Sequence, residues 1–154
     1  MVRRRRTIAA FAFVLAGLGI LGSCGDEGPT GPQFGDLVFS PSFVSLPGDL
    51  RTTDFVLQNR GTRDLSSITL GVSGIVRTTN PDTLCSGPLV NFVPPALAFL
   101  AAGEEAAVSF TLDMSGVTTA FCPVGQYDAT LLAAVSGDIL GGATVRFDWD
   151  GTPP

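Results

Sequence analysis

The chain has 154 residues, no histidine and a formal net charge of −5 at pH 7. From residue 24 on, five arginines face fourteen acidic residues, and this acidic balance argues against nucleic acid as a partner and against a basic membrane-binding patch. The lack of histidine excludes a Ser-His-Asp triad and leaves acid–base chemistry to carboxylates or to Tyr127. We therefore expect a protein that is not an enzyme.

The first residues predict a secretory signal peptide. Residues 3–6 are arginines, and residues 8–21 are apolar or small without a charge, which is the order of regions in such a signal. As a helix, the apolar segment would measure about 21 Å and fall short of the ~30 Å hydrocarbon core. A permanent transmembrane helix is therefore disfavoured.

The signal ends in Leu21-Gly22-Ser23-Cys24, which resembles the lipobox of bacterial lipoproteins. The resemblance implies that residues 1–23 are removed and that lipid on Cys24 holds the chain on a membrane of the bacterial cell envelope. Two or more acyl chains anchor a protein stably, at about 0.8 kcal/mol per buried CH₂. The alternative is cleavage between Ser23 and Cys24 without lipidation. The same resemblance implies the outer membrane, facing the periplasm or the surface, if the host is Gram-negative, because Gly25 rather than aspartate follows the cysteine.

Residues 24–35 then predict the lipidated cysteine and a flexible tether. The segment after Cys24 is rich in glycine and proline, is acidic and lacks apolar side chains as far as residue 33, as linkers do. About ten residues reach at most about 33 Å. The domain that follows, residues 36–150 with a tail at 151–154, should therefore stay near the membrane surface.

The domain itself predicts strands throughout. Apolar residues alternate with polar ones, and Gly, Pro, Asn and Asp interrupt the alternation about every eight to twelve residues, as in all-β domains. Pro41 interrupts the first strand and favours an edge strand or one that switches sheets. Extended chain is expected at 96–107, since Pro94 and Pro95 precede it and Gly103 divides it. The predicted strands cover residues 37–46, 53–59, 66–78, 89–93, 105–114, 126–135 and 142–149.

About seven short strands in a domain of about 115 residues predict an Ig-like antiparallel β-sandwich. Three segments resemble Ig-like modules of bacterial surface proteins, among them the CARDB and abnormal-spindle-like groups. They are Phe55-Val56-Leu57-Gln58-Asn59-Arg60-Gly61, Leu100-Ala101-Ala102-Gly103-Glu104 and Pro123-Val124-Gly125-Gln126-Tyr127-Asp128-Ala129. The resemblance implies that Tyr127 is a tyrosine-corner residue, with its hydroxyl bonded to backbone upstream.

Cys85 and Cys122 predict a disulfide, because an even pair in an exported chain usually forms one. Without histidine, two thiols do not complete a tetrahedral zinc shell. Alternating strand directions bring both cysteines to one end of the sandwich only if the strand at 66–78 continues through Gly74. A hairpin there would separate them by ~17–20 Å, beyond the ~7 Å Cα limit of a bridge. We expect a continuous or bulged strand, with Gly71 and Gly74 at the irregularity.

No other cluster predicts chemistry, and we expect neither a metal nor a cofactor. Glu104 and Glu105 would point to opposite faces of a strand, and Asp148 with Asp150 offers too few oxygen ligands for calcium. Trp149 is in register with apolar neighbours and belongs to the core. The sequence favours a non-enzymatic binding or structural module whose partner is an envelope protein or a glycan. The alternative is an envelope carbohydrate-binding domain.

Overall fold

The computed structural model describes residues 33–48 and 50–153, and every regular element within them is a β-strand. The predictions for the signal peptide, for Cys24 and for most of the tether lie outside the described residues. The strands are β1 (Leu37–Ser40), β2 (Phe43–Leu46), β3 (Thr52–Asn59), β4 (Leu65–Arg77), β5 (Asn80–Leu84), β6 (Leu89–Val93), β7 (Ala96–Leu100), β8 (Glu105–Asp113), β9 (Gly125–Val135) and β10 (Asp138–Trp149).

The strands form two packed sheets. Sheet one has the order β1-β3-β8-β6, and sheet two has the order β2-β10-β9-β4, with β5 and β7 both paired to the outer edge of β4. Four strands facing a sheet built on a three-strand centre is the arrangement of immunoglobulin domains, so the predicted Ig-like sandwich is confirmed. One pair departs from the antiparallel prediction: β2 runs parallel to β10, because β2 keeps the direction of β1 after it crosses to the other sheet.

At both lateral edges of the sandwich, the chain changes sheets at a proline. β1 pairs with β3 in sheet one, and after Pro41 the chain pairs with β10 as β2. In the same way β6 pairs with β8, and after Pro94 the chain pairs with β4 as β7. Proline lacks the N–H that would extend a ladder. Of the two possibilities that Pro41 predicted, an edge strand or a strand that switches sheets, the switch is found. A second switch explains why β7 forms within the segment expected to be extended.

Two switches and one further strand account for ten strands where about seven were predicted. The further strand is β5, which begins Asn80-Pro81-Asp82. These residue types are depleted in strands, so the alternation rule does not find it. β5 is tied to β4 by the pairs Val76↔Leu84 and Arg77↔Asn80.

The predicted continuous strand through Gly74 is confirmed. β4 runs from Leu65 to Arg77 with a bulge between Val72 and Gly74. Val72 lies opposite the buried Leu131 before the bulge, and Ile75 lies opposite the buried Ala129 after it. The extra residue therefore keeps the apolar side chains of both halves of β4 turned toward the core.

The core follows the predicted alternation on the long strands. β9 buries every second residue from Tyr127 to Ala133, and Trp149 at the end of β10 is 1% exposed, which confirms its place in the core. Asn59 is a buried polar residue. Its side-chain amide donates to the carbonyls of Arg63 and Leu100 at 2.7 and 3.0 Å and accepts from the Gly61 N–H at 3.0 Å.

Candidate binding site at the disulfide-bonded end

The strand register separates the beginning of the described chain from the disulfide loops. β1 begins at Leu37 opposite Asn59, where β3 ends, and β8 begins at Glu105 beside Gln58. β8 ends at Asp113, so the loop of residues 114–124 lies at the opposite end of the sandwich from Leu37. We call this end, with the β5–β6 loop that joins it, the distal end.

Cys85 and Cys122 form the predicted disulfide at the distal end. The Cα atoms are 4.2 Å apart, and the bridge joins the β5–β6 loop to the β8–β9 loop across 37 residues of sequence. The exposed fractions are 6% for Cys85 and 0% for Cys122. The predicted bridge at one end of the sandwich, which requires β4 to be continuous, is therefore confirmed.

Four successive carbonyls of the β8–β9 loop, those of residues 121–124, each accept a hydrogen bond. The Tyr127 hydroxyl donates to Pro123 at 2.5 Å, which is the predicted tyrosine-corner bond, and the Trp149 indole N–H donates to Cys122 at 2.8 Å. The Ser86 N–H donates to Phe121 at 2.8 Å, and the guanidinium of Arg77 donates to Val124 at 2.7 Å. The loop is thereby held to β4, to β9, to β10 and to the β5–β6 loop.

Apolar side chains project from this fixed loop and its partner. Leu84 and Phe121 each precede a half-cystine and are 57% and 61% exposed, and Val124 is 51% exposed. We call Leu84, Phe121 and Val124 the distal patch. The sequence places both cysteines at one end of the sandwich but does not predict the patch, although an apolar residue precedes each of the two. All three lie at the end of the sandwich that the disulfide joins, and exposed apolar surface is a feature of contact sites.

The other candidate residues make local contacts. Glu104 accepts from the Ala101 N–H, Asp148 accepts from the Gln126 amide, and Asp150 accepts from the Thr152 N–H. No group of three potential metal-ligating side chains occurs in residues 33–48 and 50–153. Within the same residues no helix is long and apolar enough to span a bilayer.

Comparison with known proteins gives structural likeness without sequence relatives. No protein-family model matches the chain, and no curated protein matches it. A C. elegans MSP family member, WR4, is 10% identical over 73% of this chain and 96% of its own, with a TM-score of 0.43. The periplasmic chaperone SfaE is 11% identical over 77% and 61%, with a TM-score of 0.45. The Acinetobacter baumannii CsuC–CsuE chaperone–adhesion subunit complex is 17% identical over 74% and 57%, with a TM-score of 0.48.

The buried hydroxyl of Tyr127 predicts a loss of stability in alkali. Burial raises the pKa of this single tyrosine, against a smaller opposing effect of Arg77. The unfolded chain therefore ionises first, and stability that is complete below about pH 10 is lost as the pH rises through the folded-state pKa. Absorbance titration should place the midpoint above 10, together with unfolding. Tyr127→Phe should cost about 1 kcal/mol at neutral pH and flatten the alkaline loss; a midpoint at the ordinary pKa in the folded protein would contradict this.

Removing the disulfide should destabilise the domain. For a loop of 37 residues, the chain-entropy model gives about 4 kcal/mol for Cys85→Ala/Cys122→Ala. Urea unfolding followed by the fluorescence of the single tryptophan, Trp149, measures the loss, and reduced wild-type protein should show a similar one. Equal urea midpoints for the double variant and the oxidised wild type would refute the structural role of the bridge.

Proposed function

We propose that this protein is an exported, lipid-anchored Ig-like module of a bacterial cell envelope, and that it acts by surface contact rather than catalysis. Its distal patch would contact another envelope protein. The observation that carries this proposal is the position of the patch: Leu84, Phe121 and Val124 lie at the end of the sandwich opposite Leu37, the side from which residues 24–36 would lead to the anchor.

Export and anchoring are supported by two independent features. Leu21-Gly22-Ser23-Cys24 follows an arginine cluster and an uncharged apolar segment, which is the order of a lipoprotein signal. The disulfide between Cys85 and Cys122 is of a kind that persists in oxidising compartments such as the periplasm and the cell surface.

The dimensions of the chain suit presentation of a surface away from a membrane. A tether of about ten residues reaches at most about 33 Å. β9 has 11 residues and, at about 3.3 Å each, adds about 36 Å along the sandwich. The acidic domain would not adhere to anionic lipid. The distal patch can therefore stand up to about 70 Å from the membrane that holds Cys24.

The composition of the patch favours a protein over a glycan. Two of its three side chains, Leu84 and Val124, are aliphatic, whereas sugar rings pack on aromatic faces. Trp149, the chain's single tryptophan, is 1% exposed and offers no such face. Aliphatic and aromatic side chains together are what the buried centre of a protein–protein interface uses.

The anchor is tested by Cys24→Ser. The variant should remain an unprocessed precursor whose amino-terminal peptide lacks acyl chains, because cleavage before residue 24 follows lipidation of the sulfur that is gone. Cys85→Ala/Cys122→Ala is the matched control and should be processed and acylated as the wild type is. Globomycin should leave the wild type as an unprocessed precursor. If the protein has the same size with and without globomycin, it is not a lipoprotein.

The distal patch is tested by photocrosslinking in intact cells. A photoreactive phenylalanine analogue at Phe121 should give one crosslinked envelope protein, and the crosslink should disappear when Leu84→Asp is added. The same analogue at Val56, 37% exposed on sheet one, is the control and should not give this product. Glycan binding that Phe121→Ala abolishes, with no protein crosslink, would instead establish the carbohydrate-binding alternative.

A further inference from the structure

A cavity of about 380 Å³ opens on the lateral edge of the sandwich between β4 of sheet two and β6 of sheet one. It lies beside the distal patch but has its own walls. Its volume falls within the range of ligand sites, which runs from about 300 to 1,000 Å³. The apolar side chains that line it include those of Leu70, Val72, Ile75, Leu89, Val90 and Phe92.

One wall of this cavity is the backbone edge of β4. Thr69 pairs with Ala96 of β7, and Val76 pairs with Leu84 of β5. The Ile75 carbonyl accepts from the Cys85 N–H at 2.9 Å. Between these contacts, residues 70–74 have no strand partner on that edge among the described residues. Such an edge presents N–H and C=O groups that another strand can use.

At the opposite lateral edge, the chain fills a similar unpaired stretch with its own backbone. There the switch from β1 to β2 leaves the beginning of β10 beside β1. The Gly35 N–H donates to the Leu140 carbonyl at 2.6 Å. A Cβ on Gly141 would lie 1.9 Å from the Leu37 carbonyl oxygen, so the glycine permits close contact of the two backbones. At residues 70–74 of β4 no such filling segment is described.

We infer that this groove binds a short extended segment of another polypeptide, added to β4 as a strand. Five residues of edge at about 3.3 Å each give about 16 Å, so the segment would pair over four or five residues. Its backbone would satisfy the edge of β4, and alternate side chains would enter the apolar cavity. The gap is bounded by β5 and β7, so a strand that already belongs to a larger sheet does not fit.

Charge defines the partner segment further. None of the residues that line the cavity is charged, whereas Asp113 of β8 pairs with the lining residue Leu89 at the distal end of the groove. Hydrogen bonds from Ser115 lower the pKa of Asp113, so its carboxylate is ionised at neutral pH. The segment should be uncharged and apolar in alternation at its centre, with lysine or arginine at the end that lies beside Leu89. The chain's own residues 25–33, acidic and proline-rich without apolar side chains, do not meet this description.

The groove does not depend on the anchor or on the distal patch, so its test is separate from theirs. A phage library of random heptapeptides is selected on residues 24–154 carrying Cys24→Ser, exported behind a signal peptide that is cleaved without lipidation. Enriched sequences are synthesised and measured by fluorescence anisotropy. Val90→Phe should fill the groove and weaken binding at least tenfold. Val56→Phe, on the outer face of sheet one, is the matched control and should bind as the wild type does. Urea midpoints establish that both variants are folded.

Peptide backbone chemistry separates strand addition from simple apolar contact. Two N-methylated forms of the best peptide are compared, one methylated at odd positions and one at even positions. Because an edge strand bonds through alternate residues, one form should lose at least tenfold in affinity while the other retains most of it. Equal binding by both forms, equal binding to Val90→Phe, or no sequence enriched on the wild type would overturn the inference.

Discussion

The sandwich depends on the two places where the chain passes from one sheet to the other, one at each lateral edge. At any position along the edge, the crossing chain can pair with only one of the two sheets. The switches at Pro41 and Pro94 therefore cover the sides of the core only in part, and each leaves part of a neighbouring strand without a strand partner. At one edge, the unpaired stretch belongs to β10 and is filled by the close contact of Gly141 with Leu37. At the other edge, it belongs to β4 and leaves the groove.

The distal end solves a different problem, which is to fix a loop of about ten residues that has no regular structure. Backbone groups of such a loop must be paired when water is excluded. Here the carbonyls of residues 121–124 take donors from four separate parts of the fold, and the bridge at Cys122 adds a covalent link. Because the backbone is already fixed, contacts through Phe121 and Val124 would lose little conformational entropy on binding.

Local patterns predicted the strands whose burial alternates, such as β8 and β9, and the requirement that the cysteines meet predicted the continuity of β4. The remaining features depend on contacts that are distant in sequence. Asparagine is typical of turns, yet Asn59 is buried. It can be buried because its side-chain amide donates a hydrogen bond to the carbonyl of Leu100, 41 residues away. β5 contradicts strand propensity at Pro81 and forms only because β4 extends beside it. The groove depends on the register in which β5 and β7 pair with β4. The alternation of apolar and polar residues does not specify that register.

The two candidate surfaces meet at one short segment. Leu84 belongs to the distal patch, and Cys85, the next residue, lies in the wall of the groove and is bonded to Cys122. The Cys85 N–H also donates a hydrogen bond to the Ile75 carbonyl. This bond marks the end of the unpaired stretch of β4 on the side of the disulfide. The disulfide thus positions a loop for one surface and a boundary for the other, so its loss would loosen both. Side chains that belong to one surface alone, Phe121 for the patch and Val90 for the groove, are the positions at which their contributions separate.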